Sequence, residues 1–271
     1  MSESESTLFS LQGAVAVVTG ATRGIGRATA EVLGRAGADV VVVGRSTRES
    51  PSELAPGTLD DVVEELAADG IQSLGVQADL TVPEQVDEVV AKTLEWRGRC
   101  DVLVNNVAYT SNRPILDVPA RRWHLGFQAQ VVTPLQLCQG FVPGMLERER
   151  GRVLNVGTRA ASVLLPNLGL YGITKLAGER TIEFLDFEWS GRGVSFNTFR
   201  IDKIIPTDAY RLSLERQGEG IAKGGLTEDD MVSAQECGEI IEWMLTRPSS
   251  WSGKAIEIQE ARDLLAAGGE A

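Results

Sequence analysis

Short β-branched runs alternate along this chain with longer amphipathic segments, and this alternation constrains the fold more than any other feature. The runs occupy residues 14–18, 39–43, 73–77, 100–105, 152–156, 194–199 and 254–258. Most are continuously apolar, which is typical of strands buried on both faces of a parallel sheet. Strands that alternate with helices are joined by right-handed crossovers. The pattern therefore predicts an α/β fold: one doubly wound domain with a seven-stranded parallel sheet flanked by helices.

Two helix starts carry the spacing of a capping box. Thr58 precedes Asp61 by three residues, and Thr81 precedes Glu84 in the same way, with Pro83 in the first turn. A hydroxyl and a carboxylate at this spacing can cap each other's backbone N–H groups. We expect a helix to begin at each site.

The remaining segments set the predicted domain boundaries. No linker divides the chain, so residues 9–260 are predicted to form one domain, with flexible tails at 1–8 and 262–271. The long segment 202–232 is expected to be a mobile lid, because loops of that length in a compact domain are usually functional or disordered. Its glycines at 218–220 and 224–225 are candidate hinges.

Composition excludes several classes of function. The net charge of −12 argues against nucleic-acid and anionic-membrane partners, and no apolar run approaches the roughly 20 residues of a membrane span. A single histidine, His124, excludes a multi-histidine metal site, and we expect no metal. The N-terminal MSESEST is unlike a signal peptide, and three widely spaced cysteines suggest reduced, mostly buried thiols. We expect a cytoplasmic protein.

A glycine-rich turn follows the first predicted strand. In TGATRGIGRA, the glycines Gly20, Gly24 and Gly26 stand in a G-x3-G-x-G spacing just before a helix. Glycines let the backbone approach a pyrophosphate, and the helix directs its first N–H groups at that charge. The strand–turn–helix context favours a dinucleotide site over a purely structural turn. The other side chains of the turn that we expect at the cofactor are Thr22, Arg23 and Ile25.

The residue after the second strand bears on which dinucleotide binds. NAD-dependent proteins usually carry a carboxylate there for the ribose 2′-hydroxyl. This chain has Gly44 followed by Arg45, and Arg23 lies within the glycine turn. Two guanidinium groups suit a 2′-phosphate, although both could instead be solvated surface residues. The sequence predicts NADP(H).

Tyr171 and Lys175 form a possible proton-transfer pair. Four residues apart, they share one helix face. A nearby ammonium favours phenolate, so we expect Lys175, together with an oxidised nicotinamide, to lower the tyrosine pKa from about 10. Such a tyrosine would act as a general acid or base. The alternative is that the pair only packs.

With the glycine turn, NNVA at 105–108 and YGITK at 171–175 in this order, the chain resembles the short-chain dehydrogenase/reductase family over about residues 10 to 260. The resemblance implies a Rossmann-type domain, usually a homodimer or homotetramer, that moves hydride between NAD(P)H and a carbonyl or an alcohol. It also implies that Asp79 and Leu80 lie at the cofactor, that Asn105 lines its cleft, and that Lys175 binds the nicotinamide ribose.

Three positions depart from the family pattern. Thr158 stands where the family has a catalytic serine, so the hydroxyl that orients the substrate oxygen remains and its methyl group narrows the site. Gln130, seven residues past Trp123, stands where the family has the asparagine that helps hold a water linked to the lysine. Ile201 and Asp202 replace a Pro-Gly pair beside the nicotinamide, and the carboxylate either lines the pocket or points to solvent. The chain thus resembles a divergent member.

These features favour an NADP(H)-dependent oxidoreductase with a hydrophobic carbonyl or secondary alcohol as substrate. The expected catalytic residues are Tyr171, Lys175, Thr158 and Gln130, and the pocket walls are expected at 109–111, 164–168 and after 202. The altered asparagine and Pro-Gly positions support an alternative, an inactive NADP(H)-binding regulatory or redox-sensing protein. A scaffold without cofactor fits the intact glycine turn poorly.

Overall fold

A computed structural model describes residues 7–51, 57–217 and 226–268. All seven predicted strands form and join in one sheet, in the order β3-β2-β1-β4-β5-β6-β7 with every neighbouring pair parallel. The strands are β1 (Val15–Thr19), β2 (Asp39–Gly44), β3 (Ser73–Gln77), β4 (Val102–Asn105), β5 (Gly151–Thr158), β6 (Val194–Ile201) and β7 (Ala255–Glu257). The predicted fold class is confirmed.

Helices follow most of the strands. They are α1 (Gly24–Arg35), α2 (Leu59–Ala68), α3 (Pro83–Arg97), α4 (Ala120–Phe127), α5 (Thr133–Glu147), α6 (Gly169–Trp189), α7 (Asp208–Gln217), α8 (Ala234–Thr246) and α9 (Ile258–Ala266). A π-helical turn, Gln128–Val132, joins α4 to α5. None of the helices within the described ranges is both long and apolar enough to cross a membrane.

The sheet is covered on both faces. Along β1, Ala16 and Val18 point into a core that also contains Leu33 of α1 and Ile241 of α8. Val15 and Val17 point to the other face, where Val86 of α3, Phe141 of α5 and Ile182 of α6 pack. Alternate residues of one strand thus serve two cores, which explains the continuous apolar runs in the sequence.

The strand order places a crevice where the site can form. The chain winds outward from β1 through β2 to β3, then returns and continues from β4 to β7 on the other side. The connections after β1 and β4 therefore leave the sheet in opposite directions. Ligands of open parallel sheets bind at this switch point, beyond the carboxyl ends of the strands.

One of the two predicted capping boxes forms. The Thr58 hydroxyl accepts from the Asp61 N–H at 3.2 Å, and the Asp61 carboxylate accepts from the Thr58 N–H at 3.2 Å. The prediction at Thr81 is wrong. Its hydroxyl donates to Asp79 Oδ1 at 2.8 Å, and α3 is capped at Val82 without a side-chain hydrogen bond. A carboxylate two residues earlier competes successfully for the hydroxyl.

The predicted start of the C-terminal tail, at residue 262, lies inside a helix. Helix α9 runs to Ala266, with Ala261 buried and the Arg262 guanidinium 2.7 Å from Glu236 of α8. Residues 262–266 therefore belong to an anchored helix, because an amphipathic face continues past the last strand.

The predicted lid segment contains regular structure at both ends. Helix α7 occupies its first half, and Ile204 pairs with Met231 in a parallel bridge that joins its two ends. The candidate hinge glycines at 218–220 and 224–225 lie outside the described residues. Mobility of this segment stays a prediction.

Candidate active site

A cleft of about 410 Å³ lies at the carboxyl end of the sheet, at the switch point. Its walls come from the glycine turn, from the ends of β2, β3, β4, β5 and β6, and from α6. The predicted site residues that line it are Gly20, Thr22, Arg23, Gly24, Ile25, Arg45, Asp79, Leu80, Thr158, Tyr171 and Lys175. Long-range folding thus gathers one surface from segments spread over more than half of the sequence.

The glycine turn has a backbone that larger residues would not permit. Gly20 and Gly24 have φ values of +64° and +55°, in the left-handed region. A Cβ on Gly26 would lie 2.4 Å from the Gly20 carbonyl oxygen. Gly26 therefore does not line the cleft but allows α1 to start directly against the turn. The turn needs glycine at these positions for steric reasons.

Helix α1 begins at the floor of the cleft. Arg23 occupies its N-cap position and makes no side-chain cap hydrogen bond. The first N–H groups of a helix have no partner within the helix, and together they attract an anion. This uncapped start, beside Gly20 and Gly24, which carry no Cβ, fits the pyrophosphate of a dinucleotide.

Arg45 lines the cleft just after the end of β2. Its side chain is 68% exposed, and its Nη1 is 3.6 Å from Asp79 Oδ2. Burial alone would raise the pKa of Asp79, but hydrogen bonds from Thr81 and the charge of Arg45 lower it below its usual value. A free guanidinium face and a carboxylate therefore stand together where an adenosine ribose would be recognised.

Asn105 does not reach the cleft, so that expectation is wrong. It is 3% exposed at the end of β4 and points behind the cleft wall, next to Cys138. The following residue, Asn106, lines the cleft instead, and its Nδ2 donates to Thr19 O at 2.9 Å. Successive residues of an extended chain point to opposite sides, so Asn105 and Asn106 face in opposite directions. Asn106 therefore takes the place in the cleft that was expected for Asn105. The doubled asparagine in NNVA is the sequence signal that could have identified Asn106.

Helix α6 and strand β5 bring the predicted catalytic groups together. Tyr171 and Lys175 lie one turn apart on α6, facing the cleft, and Thr158 ends β5 opposite them. The Lys175 ammonium donates to Val156 O at 2.7 Å and lies 3.5 Å from Val107 O. Two backbone carbonyls therefore hold the lysine in position.

Burial dominates the acid–base properties of the pair. It raises the pKa of Tyr171 to about 12, although a hydrogen bond with Thr158 acts in the opposite direction. It lowers the pKa of Lys175 to about 8, against the charge of Glu179. Within the protein, the tyrosine pKa therefore moves opposite to the direction expected from the sequence. Desolvation disfavours the charged form of each group.

Gln130 lies beneath the cleft rather than in it. It belongs to the π-helical turn, is 2% exposed, and its Oε1 accepts from the Tyr109 N–H at 3.2 Å. Its Nε2 has no hydrogen-bond partner among the described residues. The side chain supports the backbone of a wall residue, and Ala129 is its neighbour that lines the cleft.

The Asp202 carboxylate, which was expected either to line the pocket or to point to solvent, does neither. It accepts from the Ile258 N–H at 3.0 Å, at the first turn of α9. Asp202 therefore points neither into the pocket nor freely to solvent, because an acidic side chain is favoured at a helix N-terminus. Lys203, Ile205 and Thr207 line the cleft, as the sequence predicts for the segment after β6. Residues 164–168 do not line it, and Leu164 is 99% exposed.

Comparison with known proteins identifies relatives of this chain. The profile of a family described as short chain dehydrogenase matches residues 14–208. A 3-oxoacyl-(acyl-carrier-protein) reductase of Synechocystis sp. is 33% identical over 191 residues, 70% of this chain and 74% of that protein. A fatty acyl-CoA reductase of Mycobacterium tuberculosis is 29% identical over 245 residues, 87% of this chain and 74% of that protein.

A solved structure agrees in fold over almost the whole chain. The L-sorbose reductase of Gluconobacter frateurii, determined with NADPH and L-sorbose, superimposes with a TM-score of 0.78 at 26% identity. The match covers 94% of this chain and 96% of that one. The profile spans more than half of the sequence and includes the glycine turn, Thr158, Tyr171 and Lys175. The chain belongs to the short-chain dehydrogenase/reductase family.

Proposed function

We propose that this protein is an NADP(H)-dependent oxidoreductase that interconverts a carbonyl and a secondary alcohol. One observation carries the proposal. Thr158, Tyr171 and Lys175 line the same cleft as the glycine turn and the uncapped start of α1. A dinucleotide site and an acid–base pair thus share one cavity, which is what hydride transfer to a carbonyl requires.

The cofactor-binding residues would divide the dinucleotide between them. The glycine turn and the first N–H groups of α1 bind the pyrophosphate, and Arg45 with Arg23 binds the 2′-phosphate. Lys175 binds the nicotinamide ribose. When bound, NADPH supplies the hydride. The binding of NADPH by the related L-sorbose reductase supports this choice of cofactor.

The catalytic residues act on the substrate oxygen. In reduction, Tyr171 donates its phenolic proton to that oxygen as negative charge develops there. Its pKa near 12 keeps the phenol protonated at neutral pH, which suits a proton donor. The Thr158 hydroxyl donates a second hydrogen bond and orients the oxygen. Lys175 provides a positive charge on the same helix face. Gln130 supports the site from beneath, through Tyr109.

The substrate is proposed to be hydrophobic. Ile201, which pairs with Thr158 across β5 and β6, lines the cleft, as do Ile205 and Val107. Two leucines on nearby connections, Leu116 and Leu164, are 96% and 99% exposed. These connections lie together, because the Arg113 N–H donates to Asn167 O at 3.1 Å. Apolar side chains beside Thr158 and on these connections favour an apolar substituent on the carbonyl.

The protein is further proposed to be a cytoplasmic homodimer or homotetramer. Helix α6 exposes an apolar row, with Leu176 at 50%, Phe184 at 58% and Phe187 at 85%. Exposed apolar side chains along one helix mark an interaction surface, and a second copy of the chain would cover them. The three free cysteines are buried thiols, which is typical of a reducing compartment.

Incubation of the protein with NADPH and a panel of ketones and aldehydes tests the proposal. We expect NADPH consumption for at least one apolar carbonyl and its loss in Tyr171→Phe, with cofactor binding followed separately by fluorescence. NADPH binding without turnover of any carbonyl or alcohol would instead favour the regulatory alternative. Light scattering on the same sample measures the oligomeric state.

A further inference from the structure

One face of α6 meets the end of β5 at three successive levels. Tyr171 faces Thr158 in the cleft, and the Lys175 ammonium donates to Val156 O at 2.7 Å. One turn further on, Glu179 lies against Gly157, where a Cβ would come within 2.4 Å of Glu179 Oε1. Residues four apart share a helix face, so Glu179 is the third polar group of one row. The chemistry proposed above does not use it.

Glu179 is a buried carboxylate with unequal oxygens. The residue is 1% exposed, and its Oε2 accepts from the Arg200 guanidinium at 2.9 Å and 2.8 Å. Its Oε1 is buried and has no hydrogen-bond partner among the described residues. A carboxylate oxygen without a donor, in a region of low polarity, acts strongly on neighbouring ionisable groups. Arg200 therefore holds the side chain while neutralising only part of its effect.

Several charged or ionisable groups lie near the Glu179 carboxylate and interact with it electrostatically. Lys175 lies one turn before it on α6 and Tyr171 two turns before it, and Arg200 binds it from β6. Glu257 of β7 and Glu183 of α6 act on Arg200 from further away. The charge of Glu179 raises the pKa of both Tyr171 and Lys175. The sign is the same for both groups, because a negative charge disfavours phenolate and favours ammonium.

We propose that Glu179, held by Arg200, is a positioning residue that keeps the Tyr171–Lys175 pair protonated. It thereby extends to higher pH the range in which the site gives a proton to a carbonyl oxygen. The inference rests on the proposed function of that pair. Glu179 transfers no proton itself: the proton that leaves Tyr171 is restored from solvent, and the equilibrium between carbonyl and alcohol is unchanged.

Two opposite substitutions test the proposal. Glu179→Gln keeps the shape and removes the charge, so the pH at which carbonyl reduction falls to half should decrease by about one unit. Arg200→Gln removes the counter-charge, so the same midpoint should increase. Local damage to the fold would not move the two midpoints in opposite directions. The pair of variants therefore separates an electrostatic role from a merely structural one.

A second readout does not need turnover. NMR of ¹³C-labelled lysine follows the titration of Lys175, identified by the signal that Lys175→Met lacks. We expect its midpoint to fall in Glu179→Gln and to rise in Arg200→Gln. Glu183→Gln is the matched control: it makes the same charge change one turn further along α6, on a side chain that is 43% exposed. It should move the midpoint by less than a third as much.

The outcomes separate this inference from the proposed function. An unchanged Lys175 midpoint in Glu179→Gln, or a shift in the same direction in both variants, overturns the role of Glu179 even if the wild type reduces carbonyls. A wild-type protein that reduces no carbonyl refutes the proposed function, while the lysine titration still decides the role of Glu179. If Glu179→Gln does not fold, the upward shift in Arg200→Gln decides it.

Discussion

The two walls of the cleft differ in what holds them in shape. The nucleotide wall consists of the glycine turn and the start of α1, and its shape depends mainly on the backbone. Gly20 and Gly24 adopt left-handed conformations, and α1 begins without a side-chain cap. On the catalytic wall, side chains from distant segments meet. Lys175 bonds to carbonyls of two other segments, and Tyr171 and Thr158 come together from α6 and β5.

This difference predicts where the chain tolerates substitution. A wall made of backbone tolerates few substitutions, because any Cβ at Gly26 would strike the Gly20 carbonyl. A wall made of side chains can exchange one donor for another while its neighbours adjust. Thr158, Gln130 and Ile201–Asp202, where the sequence is expected to depart from the family pattern, all lie outside the glycine turn. Substitutions should therefore separate catalysis from cofactor binding, and the following predictions test this separation.

Tyr171→Phe should have the largest effect on the catalytic wall alone. Loss of a positioned acid lowers a rate by about 10²–10⁴-fold. Without its hydroxyl, residue 171 cannot donate to the substrate oxygen, so kcat should fall by this amount while NADPH affinity changes only a few-fold. Steady-state kinetics and a binding titration measure the two effects. An equal loss in both would mean that the walls are not separable.

Substitution of Thr158 sharpens the same contrast. Thr158→Val keeps the shape and removes the hydroxyl, and loss of one donor to a developing oxyanion costs about 10²–10³-fold in kcat. Thr158→Ser retains the hydroxyl and should stay active, with more room for bulky carbonyls. If both variants turn over like the wild type, Thr158 only packs.

Arg45→Asp should act on the nucleotide wall alone. We expect wild-type protein to bind NADPH at least about tenfold more tightly than NADH, because the guanidinium pairs with the 2′-phosphate. A carboxylate at residue 45 would repel that phosphate and reverse the preference. Arg48→Gln is the matched control, since Asp61 and Glu64 already hold that guanidinium away from a ligand. Equal dissociation constants for both cofactors in the wild type would contradict the prediction.

Lys175 should connect the two walls. Burial lowers its pKa to about 8, so its positive charge is present below that pH and is lost above it. NADPH affinity should therefore weaken a few-fold as pH rises through this range, because a charged donor bonds the ribose more strongly. Lys175→Ala should bind NADPH more weakly throughout and lose this pH step, and should also lower kcat. Affinity that does not vary with pH in the wild type would rule out a charged lysine at the ribose.

The smallest expected effect concerns the segment 202–232. We expect it to order over cofactor and substrate, so its amide hydrogen exchange should slow when NADPH is added. Its ends are tied by the Ile204–Met231 bridge and by Lys203, 2.9 Å from Asp230. Lys203→Met should speed exchange near these ends. Slow exchange that ligands leave unchanged would exclude a lid.

Local patterns were enough to predict much of the fold. The seven strands follow from apolar runs, and Thr58 caps α2 as its spacing predicts. Prediction failed where a second partner competed for the same group. Thr81 bonds to Asp79 instead of capping α3, and α9 extends into the expected tail because Ala261 packs in the core. Residue spacing alone does not show that Thr81 prefers Asp79 to the start of α3, or that Ala261 packs in the core.

In the cleft, the sequence by itself determined the residue types: glycines at the turn, an arginine after β2, and a hydroxyl, a phenol and an ammonium in order. These depend on local backbone geometry and on spacing along one helix. Only the tertiary structure decided which residues face the cleft, since Asn106 replaces Asn105 and Gln130 lies beneath the wall. Burial also reversed the expected direction of the Tyr171 pKa, because desolvation depends on every segment that surrounds a group.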